Sequence, residues 1–322
     1  MSRSRLSTAL DDGLIDLPQG GIVVMRPTAT YDVTALPRDA ITIQHSFYPD
    51  AAAWQAAGFP VVQDMPQAGT AIVIVPRSKE LARQMVAAAC KVAGFVIVDG
   101  QKTDGADSIY NACRKIVGPL PSLTQAHGRI FWFAATDAFR AWEAAPAQAG
   151  PHGFVTVAGV FSDGEIDKGS ALLAEALPPK LPERMADLGA GWGYLSHHVL
   201  KREGVAHLDL VEAEALALDC ARRNVTDPRA KFHWADATRF DGGPYDGIVM
   251  NPPFHTGRTP DPSLGRAFIA AAARLLAPHG RLWMVANRHL PYETTLQDCF
   301  RNVDTIGGNG AFKLVLASKP KR

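Results

Sequence analysis

Four consecutive residues, Asn251-Pro252-Pro253-Phe254, place an amide, a stiffened backbone and an aromatic face in one short loop. Each proline fixes its φ and lacks an N–H, and the residue before a proline is held extended. A loop stiffened in this way can aim the amide oxygen of Asn251 and the carbonyl of Pro252 at one point. Two acceptors converging on one –NH2 group leave its nitrogen lone pair free to attack an electrophile. Phe254 supplies a flat face on which a base can stack. By itself N-P-P also serves as a plain stop for a strand, so the neighbouring segments carry the weight.

The loop follows Tyr245-Asp246-Gly247-Ile248-Val249-Met250, an apolar run that predicts a buried strand. Upstream, Met185-Ala186-Asp187-Leu188-Gly189-Ala190-Gly191-Trp192-Gly193 precedes a helical pattern from Tyr194 to about Glu203. That order predicts strand, tight glycine turn and helix, the opening unit of a doubly wound α/β domain. Gly189, Gly191 and Gly193 let the backbone turn sharply and approach a ligand closely. A glycine loop alone fits a dinucleotide, a methyl donor or a simple turn. Two details favour S-adenosylmethionine (SAM). The dinucleotide fingerprint needs a third glycine where Tyr194 stands. Asp187, just before the first glycine, would repel a pyrophosphate and attract a methionine ammonium.

The next strands extend the pattern. His207-Leu208-Asp209-Leu210-Val211-Glu212 ends in Glu212, a carboxylate able to accept both ribose hydroxyls. Lys231-Phe232-His233-Trp234 runs on to Asp236, placed to receive an adenine amino group. Ligands in open α/β sheets bind at the carboxyl ends of the strands. Four strand ends in order thus offer a loop, a ribose acid, an adenine acid and an amine clamp, with Asn251 bordering the cofactor as well. Any one of these acids alone reads as a helix N-cap or a solvated loop residue. Together, at this spacing, they read as a SAM site.

With these segments in view, the chain resembles the ribosomal RNA small subunit methyltransferase C family, which methylates guanine N2, with the related G type that acts on large-subunit RNA close behind. Phe161-Ser162-Asp163-Gly164-Glu165-Ile166-Asp167-Lys168-Gly169-Ser170 is similar to that family's F-S-x-x-x-x-D-x-G-S segment, which covers the cofactor. Asn251-Pro252-Pro253-Phe254-His255-Thr256-Gly257 matches N-P-P-F-H-x-G. Val285-Ala286-Asn287-Arg288-His289-Leu290-Pro291-Tyr292 resembles V-A-N-x-x-L-P-Y, and Phe312-Lys313 the closing F-K. Glu212 departs from the Asp of many relatives, a change the ribose role survives. The resemblance implies two tandem Rossmann-like methyltransferase domains, the N-terminal one degenerate, and methyl transfer to a guanine N2 in ribosomal RNA.

A chain of 322 residues suits two domains, and 47% hydrophobic content is ample for their cores. The formal charge is only +1, so no global field draws the protein to nucleic acid, and an RNA footprint must be a local basic patch. Cys90, Cys113, Cys220 and Cys299 are scattered, three of them in apparent helices, without a C-x-x-C pair. They read as free thiols of a reducing cytosol, not metal ligands. No signal peptide follows Met1, and no apolar run approaches the ~20 residues that span a membrane. The expected location is the cytoplasm, and the oligomeric state is not fixed, with a monomer slightly favoured.

The first half also alternates strand and helix. Strands are predicted at Gly21–Met25, Ala40–Gln44, Thr70–Val75, Gly94–Val98 and Arg129–Ala134, with helices at about Ser78–Ala93 and Ser108–Val117. This pattern suggests a second parallel sheet. It carries no glycine loop and no N-P-P-F, and Pro76-Arg77-Ser78-Lys79 could not cradle a SAM. Lys102 and Arg129 are either surface charges or contacts to RNA or to the catalytic half. Ala144–Gly153 is the expected linker, which divides the chain into residues 1–150, a scaffold or RNA-guiding domain, and a catalytic domain over residues 151–322.

Other chemistry is weaker. His197-His198 reads as helix surface, without a partner at i+4 for a metal, and His255 as a loop histidine. Arg258, Arg266 and Arg288 are collectively the expected phosphate contacts. Trp192 packs or walls the cofactor site. The catalytic set is therefore Asn251, Pro252 and Phe254, and the expected partner is ribosomal RNA or a ribosomal subunit, with no membrane. The same loop also suits a guanine of large-subunit RNA, a DNA adenine or a protein glutamine, and a non-catalytic ribosome-binding module would need a dead cofactor loop.

Overall fold

The computed structural model describes residues 3–150, 152–161, 165–253, 255–256, 259–260 and 262–322. The chain divides into two compact units, Met1–Ala147 and Gln148–Arg322.

The first unit runs α1 (Arg5–Asp11), β1 (Ile22–Met25), β2 (Ile41–Gln44), α2 (Tyr48–Ala56), β3 (Val61–Val62), β4 (Ala68–Ile74), α3 (Lys79–Val92), β5 (Ala93–Gln101), α4 (Ala106–Val117), β6 (Ser122–Gln125) and β7 (Gly128–Ala134). The strands form one sheet in the order β3-β2-β1-β4-β5-β7-β6. The first five pair in parallel, but β7 is antiparallel to β5 and β6 is antiparallel to β7. The expected parallel sheet is thus a mixed one. The cause is a two-residue turn, Ala126-His127, with φ of 47° and 56°. Such a turn makes a hairpin, whereas parallel neighbours need a long crossover.

The second unit runs α5 (Lys168–Ala176), β8 (Arg184–Leu188), α6 (Tyr194–Leu200), β9 (His207–Glu212), α7 (Ala215–Asn224), β10 (Ala230–Trp234), β11 (Tyr245–Met250), the small ribbon β12 (His255–Thr256) and β13 (Thr259–Pro260), α8 (Pro262–Leu275), β14 (Leu276–Asn287), α9 (Glu293–Cys299), β15 (Phe300–Gly308) and β16 (Phe312–Pro320). Its main sheet has the order β10-β9-β8-β11-β14-β16-β15, again with the last hairpin antiparallel. β11 is central, and Ile248, Val249 and Met250 are wholly buried because both faces of the sheet are covered. The helix after the glycine turn stops at Leu200, short of Glu203. All four cysteines, not three, lie in helices, and all are free thiols.

The two sheets match strand for strand. Met25 pairs with Gln44 and Val73 in the first; Leu188 pairs with Val211 and Met250 in the second. Arg26 therefore occupies the place of Gly189, His45 that of Glu212, and Ile74 that of Asn251. The backbone agrees: the Arg26 amide donates to Gln44 O at 2.8 Å, and the Gly189 amide to Val211 O at 2.9 Å. In the first unit the loop after β1 is tied down by protein. The His45 ring nitrogen Nδ1 accepts the Phe47 amide, so its Nε2 carries the proton toward Pro27 O, 3.1 Å away. Trp54 Nε1 donates to the same carbonyl at 3.1 Å. The copy keeps the fold and has lost the open loop, so it is degenerate.

Beside the apolar core of this unit lies a buried ion pair. Arg5 Nε donates to Asp99 Oδ1 at 2.7 Å and Tyr31 OH to Oδ2 at 2.9 Å, with both ionic side chains under a tenth exposed. Burial raises the Asp99 pKa, and Arg5 counters it. Removing one partner of a buried pair leaves an uncompensated charge. Arg5→Ala is therefore expected to lower stability by ~3–5 kcal/mol, and Arg5→Ala with Asp99→Ala by clearly less. Denaturant melts of the three proteins measure this, and equal losses in single and double variants would refute it.

Candidate functional site

The glycine turn sits at the carboxyl end of β8, with φ of 74°, 55° and 90° at Gly189, Gly191 and Gly193. These are left-handed conformations that glycine adopts freely. A Cβ on Gly191 would meet nothing within 4 Å, so the loop's backbone is open on that side. Glu212, at the end of the neighbouring strand, holds the turn in shape. Its Oε2 accepts the Gly191 amide and its Oε1 the Glu214 amide, each at 2.8 Å. A carboxylate has about four lone-pair positions, so two remain open for further donors. Burial pushes this carboxyl's pKa up, against the pull of the two amide donors.

Asp187 lies beneath the loop and is 0% exposed. Its Oδ2 accepts from Ser196 Oγ at 2.7 Å, while the buried Oδ1 has no hydrogen-bond partner among the described residues. Burial pushes its pKa up to about 7. A methionine ammonium above the loop would meet its field, and a nearby cation favours the ionised form. Asp236 closes its own turn: Oδ1 accepts the Thr238 amide at 2.9 Å and the Thr238 hydroxyl at 2.7 Å. Its second oxygen is left out of that turn. An open glycine loop, two acids with unfilled acceptor positions and a buried unpartnered carboxyl oxygen together fit SAM. Among the described residues no group of three or more His, Cys, Asp or Glu could hold a metal ion.

Asn251 follows β11 and is half-buried. Its Nδ2 donates to Asp167 Oδ2 at 2.8 Å and to Ser170 Oγ at 2.9 Å. A carboxylate only accepts, so the NH2 must face Asp167 and the amide oxygen faces away. The same Asp167 oxygen caps α5 by accepting the Ser170 amide at 2.8 Å. Pro252 is buried and Pro253 exposed. Phe254, Gly257 and Arg258 lie outside the described residues, as do 162–164 of the covering segment.

Further contacts join the remaining motifs. A Cβ on Gly169 would press on the Phe312 ring at 3.0 Å, so α5 and β16 meet there closely. The buried Lys313 donates to Leu290 O at 2.7 Å and pairs with Glu293. Arg288 donates to Asn309 O and Phe312 O, which engages it with the β15–β16 turn. Arg266 is an exposed residue of α8. Trp192 is buried, and its Nε1 donates to Phe161 O at 3.2 Å, so the covering segment is pinned to the glycine loop.

Two functions escaped the sequence. Asp167 and Ser170 were legible only as a cover for the cofactor, yet they grip Asn251, 84 and 81 residues away. Asn224, the last residue of α7, binds both backbone groups of Val155 and the Trp192 carbonyl at 2.7–2.9 Å. Nothing in its local sequence marks it, because its partners lie 69 and 32 residues away.

A family model described as methyltransferase small domain matches residues 152–316. The ribosomal RNA small subunit methyltransferase C of Shewanella sp. (strain MR-4) is 31% identical over 259 residues, 76% of this chain and 75% of that one. The chain belongs to the ribosomal RNA small subunit methyltransferase C family. The family's protein from Hahella chejuensis (strain KCTC 2396) is 29% identical over 75% of both chains. The fold of this methyltransferase C family member is that of the T. thermophilus 16S rRNA N2 methyltransferase, solved with AdoMet and guanosine. The TM-score is 0.79 at 22% identity, covering 98% of this chain and 92% of that one.

The buried Asp187 gives this family member a testable pH dependence. An acid whose folded pKa lies above its unfolded value keeps a proton in the folded state that the unfolded state has released. Stability then falls as pH rises from about 4, the ordinary value, to about 7, and is level beyond. Asp187→Asn is expected to remove that part of the slope and to be the more stable protein at pH 8 without cofactor. Melting curves from pH 4 to 8 check this, and parallel pH profiles for both proteins would contradict it.

Proposed function

We propose that this protein transfers the methyl group of SAM to the exocyclic N2 of a guanine in small-subunit ribosomal RNA. The observation that carries the reading is the held amide of Asn251. Its two N–H bonds are engaged behind it by Asp167 and Ser170, so its one strong acceptor faces forward, at the carboxyl end of the strand beside the glycine loop. Family membership and the relative solved with AdoMet and guanosine support the same donor and acceptor.

In this reading Gly189, Gly191 and Gly193 form the loop against which the methionine part lies, Glu212 takes the ribose and Asp236 the adenine amino group. When bound, SAM supplies an electrophilic methyl group on a sulfonium. The chain's own contribution is position and electrostatics. Asn251 and the Pro252 carbonyl accept from the target amine, turning its lone pair outward, and Phe254 stacks the base. The guanine must be unpaired or flipped out to reach this loop. No strong base is required, because the amine can release its proton once the methyl group is attached. Asp167 Oδ2 accepts from both Asn251 and the start of α5, which suits a positioning role.

The first unit serves in this reading as a scaffold or an RNA guide. Its two expected contacts separate in chemistry. Arg129 pairs with Asp107 at 2.7 Å, donates to Ser122 Oγ and stacks on Tyr110 at 4.3 Å, so it supports the fold. Lys102 is exposed at the end of β5 and has the freedom to meet a phosphate. Arg129→Glu is expected to lower the melting temperature. Lys102→Glu is expected to leave melting unchanged and to weaken RNA binding with a shallower salt dependence. The reverse assignment of effects would remove Lys102 from the guiding role.

Labelled SAM and ribosomal RNA, followed by mass mapping of the modified guanines, test the reaction itself. Incorporation into DNA or protein but not RNA would overturn the substrate. Asn251→Ala is expected to cost ~10²–10³ in rate with SAM affinity within a few-fold. Asp167→Ala should cost roughly 10- to 100-fold, the worth of one charge-assisted hydrogen bond, and should also weaken the cap of α5. Near-normal turnover in Asn251→Ala would reduce the N-P-P-F loop to a strand stop.

A further inference from the structure

The histidines read from sequence as plain helix surface are half-buried in a row of rings. Phe154 packs on Trp192 with centroids 5.0 Å apart, on Tyr194 at 5.7 Å and edge-on against His197 at 5.2 Å. His198 lies 4.7 Å from Tyr194 and 5.6 Å from His197. Phe154, Tyr194, His197 and His198 line a groove of about 560 Å³ along α6, bounded by Lys201 and Arg223. The groove adjoins the candidate site: Tyr194 directly follows Gly193, and Asn224, in the groove wall, holds Trp192 of the glycine loop.

The charges around it point one way. Lys201 and Arg223 are exposed and have no ion pair among the described residues. Among the nearby acids, Asp219, one turn before Arg223 on α7, pairs with Arg222 at 2.6 Å. Glu165 pairs with His152 at 3.5 Å, and Glu175 acts on the Tyr194 phenol. Burial, with Lys201 close by, lowers the pKa of His197, and burial with the neighbouring His197, Lys201 and Arg202 lowers that of His198, which favours the neutral form of both rings. Neutral flat rings beside unpaired cations are the surface on which unpaired nucleotides bind, with bases stacked and phosphates neutralised. A metal is a poorer match, since among the described residues no group of three or more His, Cys, Asp or Glu could hold one.

We propose that this groove binds an unpaired stretch of the substrate RNA beyond the target guanine, its bases against Tyr194, His197 and His198 and its phosphates on Lys201 and Arg223. The inference rests on the RNA reading above. It adds a second point of attachment, which matters because the loop after β11 reads one nucleotide and a net charge of +1 offers little general attraction.

The test uses the full chain and a fluorescent single-stranded RNA oligonucleotide, with affinity measured across a salt series and SAM affinity measured in parallel. Lys201→Glu with Arg223→Glu changes only exposed residues. It should weaken RNA binding at least tenfold and flatten the log–log salt slope by about 1.4, or ~0.7 per lost phosphate contact, with melting and SAM affinity unchanged. Lys201→Arg with Arg223→Lys should bind RNA as the parent does. His197→Ala with His198→Ala should weaken binding roughly 5- to 150-fold, the range for a lost stacked base. If the parent binds and methylates RNA while the glutamate variant keeps its affinity and salt slope, the groove proposal fails and the RNA reading stands. If the groove variants instead lose binding to a protein partner only, the occupant is not RNA. If the parent neither binds nor methylates RNA, the RNA reading fails and this inference with it.

Discussion

An amide side chain has two donors and one strong acceptor oxygen, and the site depends on which end is held. Asp167 and Ser170 engage both donors of Asn251. The oxygen is left as the end that faces forward. A carboxylate is the right partner because it cannot donate, so the amide cannot flip without setting acceptor against acceptor. The same carboxylate caps α5, which ties the orientation of Asn251 to the start of a helix rather than to a loose side chain. Gly169, in that first turn, lets Phe312 pack against it. The segments before β8, after β11 and along β16 therefore form one assembly, in which Asn251 has little freedom left to lose.

The glycine loop is held by a second carboxylate in the same spirit. Glu212 takes one amide from the loop and one from its own turn, which fixes the loop from the side. The first unit shows what happens when the backbone is kept and these side chains change. Arg26 still adopts a positive φ of 53° at the position of Gly189, and His45 still reaches across at the position of Glu212. There the histidine binds a carbonyl, and Trp54 fills in beside it. Ile74 at the position of Asn251 offers no acceptor, and Ser78 starts a helix directly by capping α3. One fold thus carries two outcomes, decided by a few residues at strand ends.

Much of this was legible from local pattern. Short apolar-rich segments read as strands, and His207–Glu212 and Tyr245–Met250 lie where the sequence places them. Glycines at Gly189, Gly191 and Gly193 announce a turn because few other residues adopt their φ values. The final hairpin of the first unit was not legible. Ala126-His127 lacks the Asn or Gly that usually marks a two-residue turn, so the strand beyond it read as one more parallel neighbour. His197 and His198 misled for a related reason. Spacing along a helix says which face a residue is on, but not that Phe154, more than forty positions earlier in the chain, comes back to cover that face.

By itself, the sequence determined the two-unit α/β plan, the glycine loop, the strand-end acids and the N-P-P-F loop, because each is a property of residues adjacent in the chain and acts through local backbone preference. The tertiary structure decided the orientation of the Asn251 amide, the engagement of Glu212 with the glycine loop, the burial of Asp187, the inward pairing of Arg129 and the ring-lined groove along α6. Each of these depends on which distant segments meet. That is set by packing over the whole sheet, and no short window of sequence contains it.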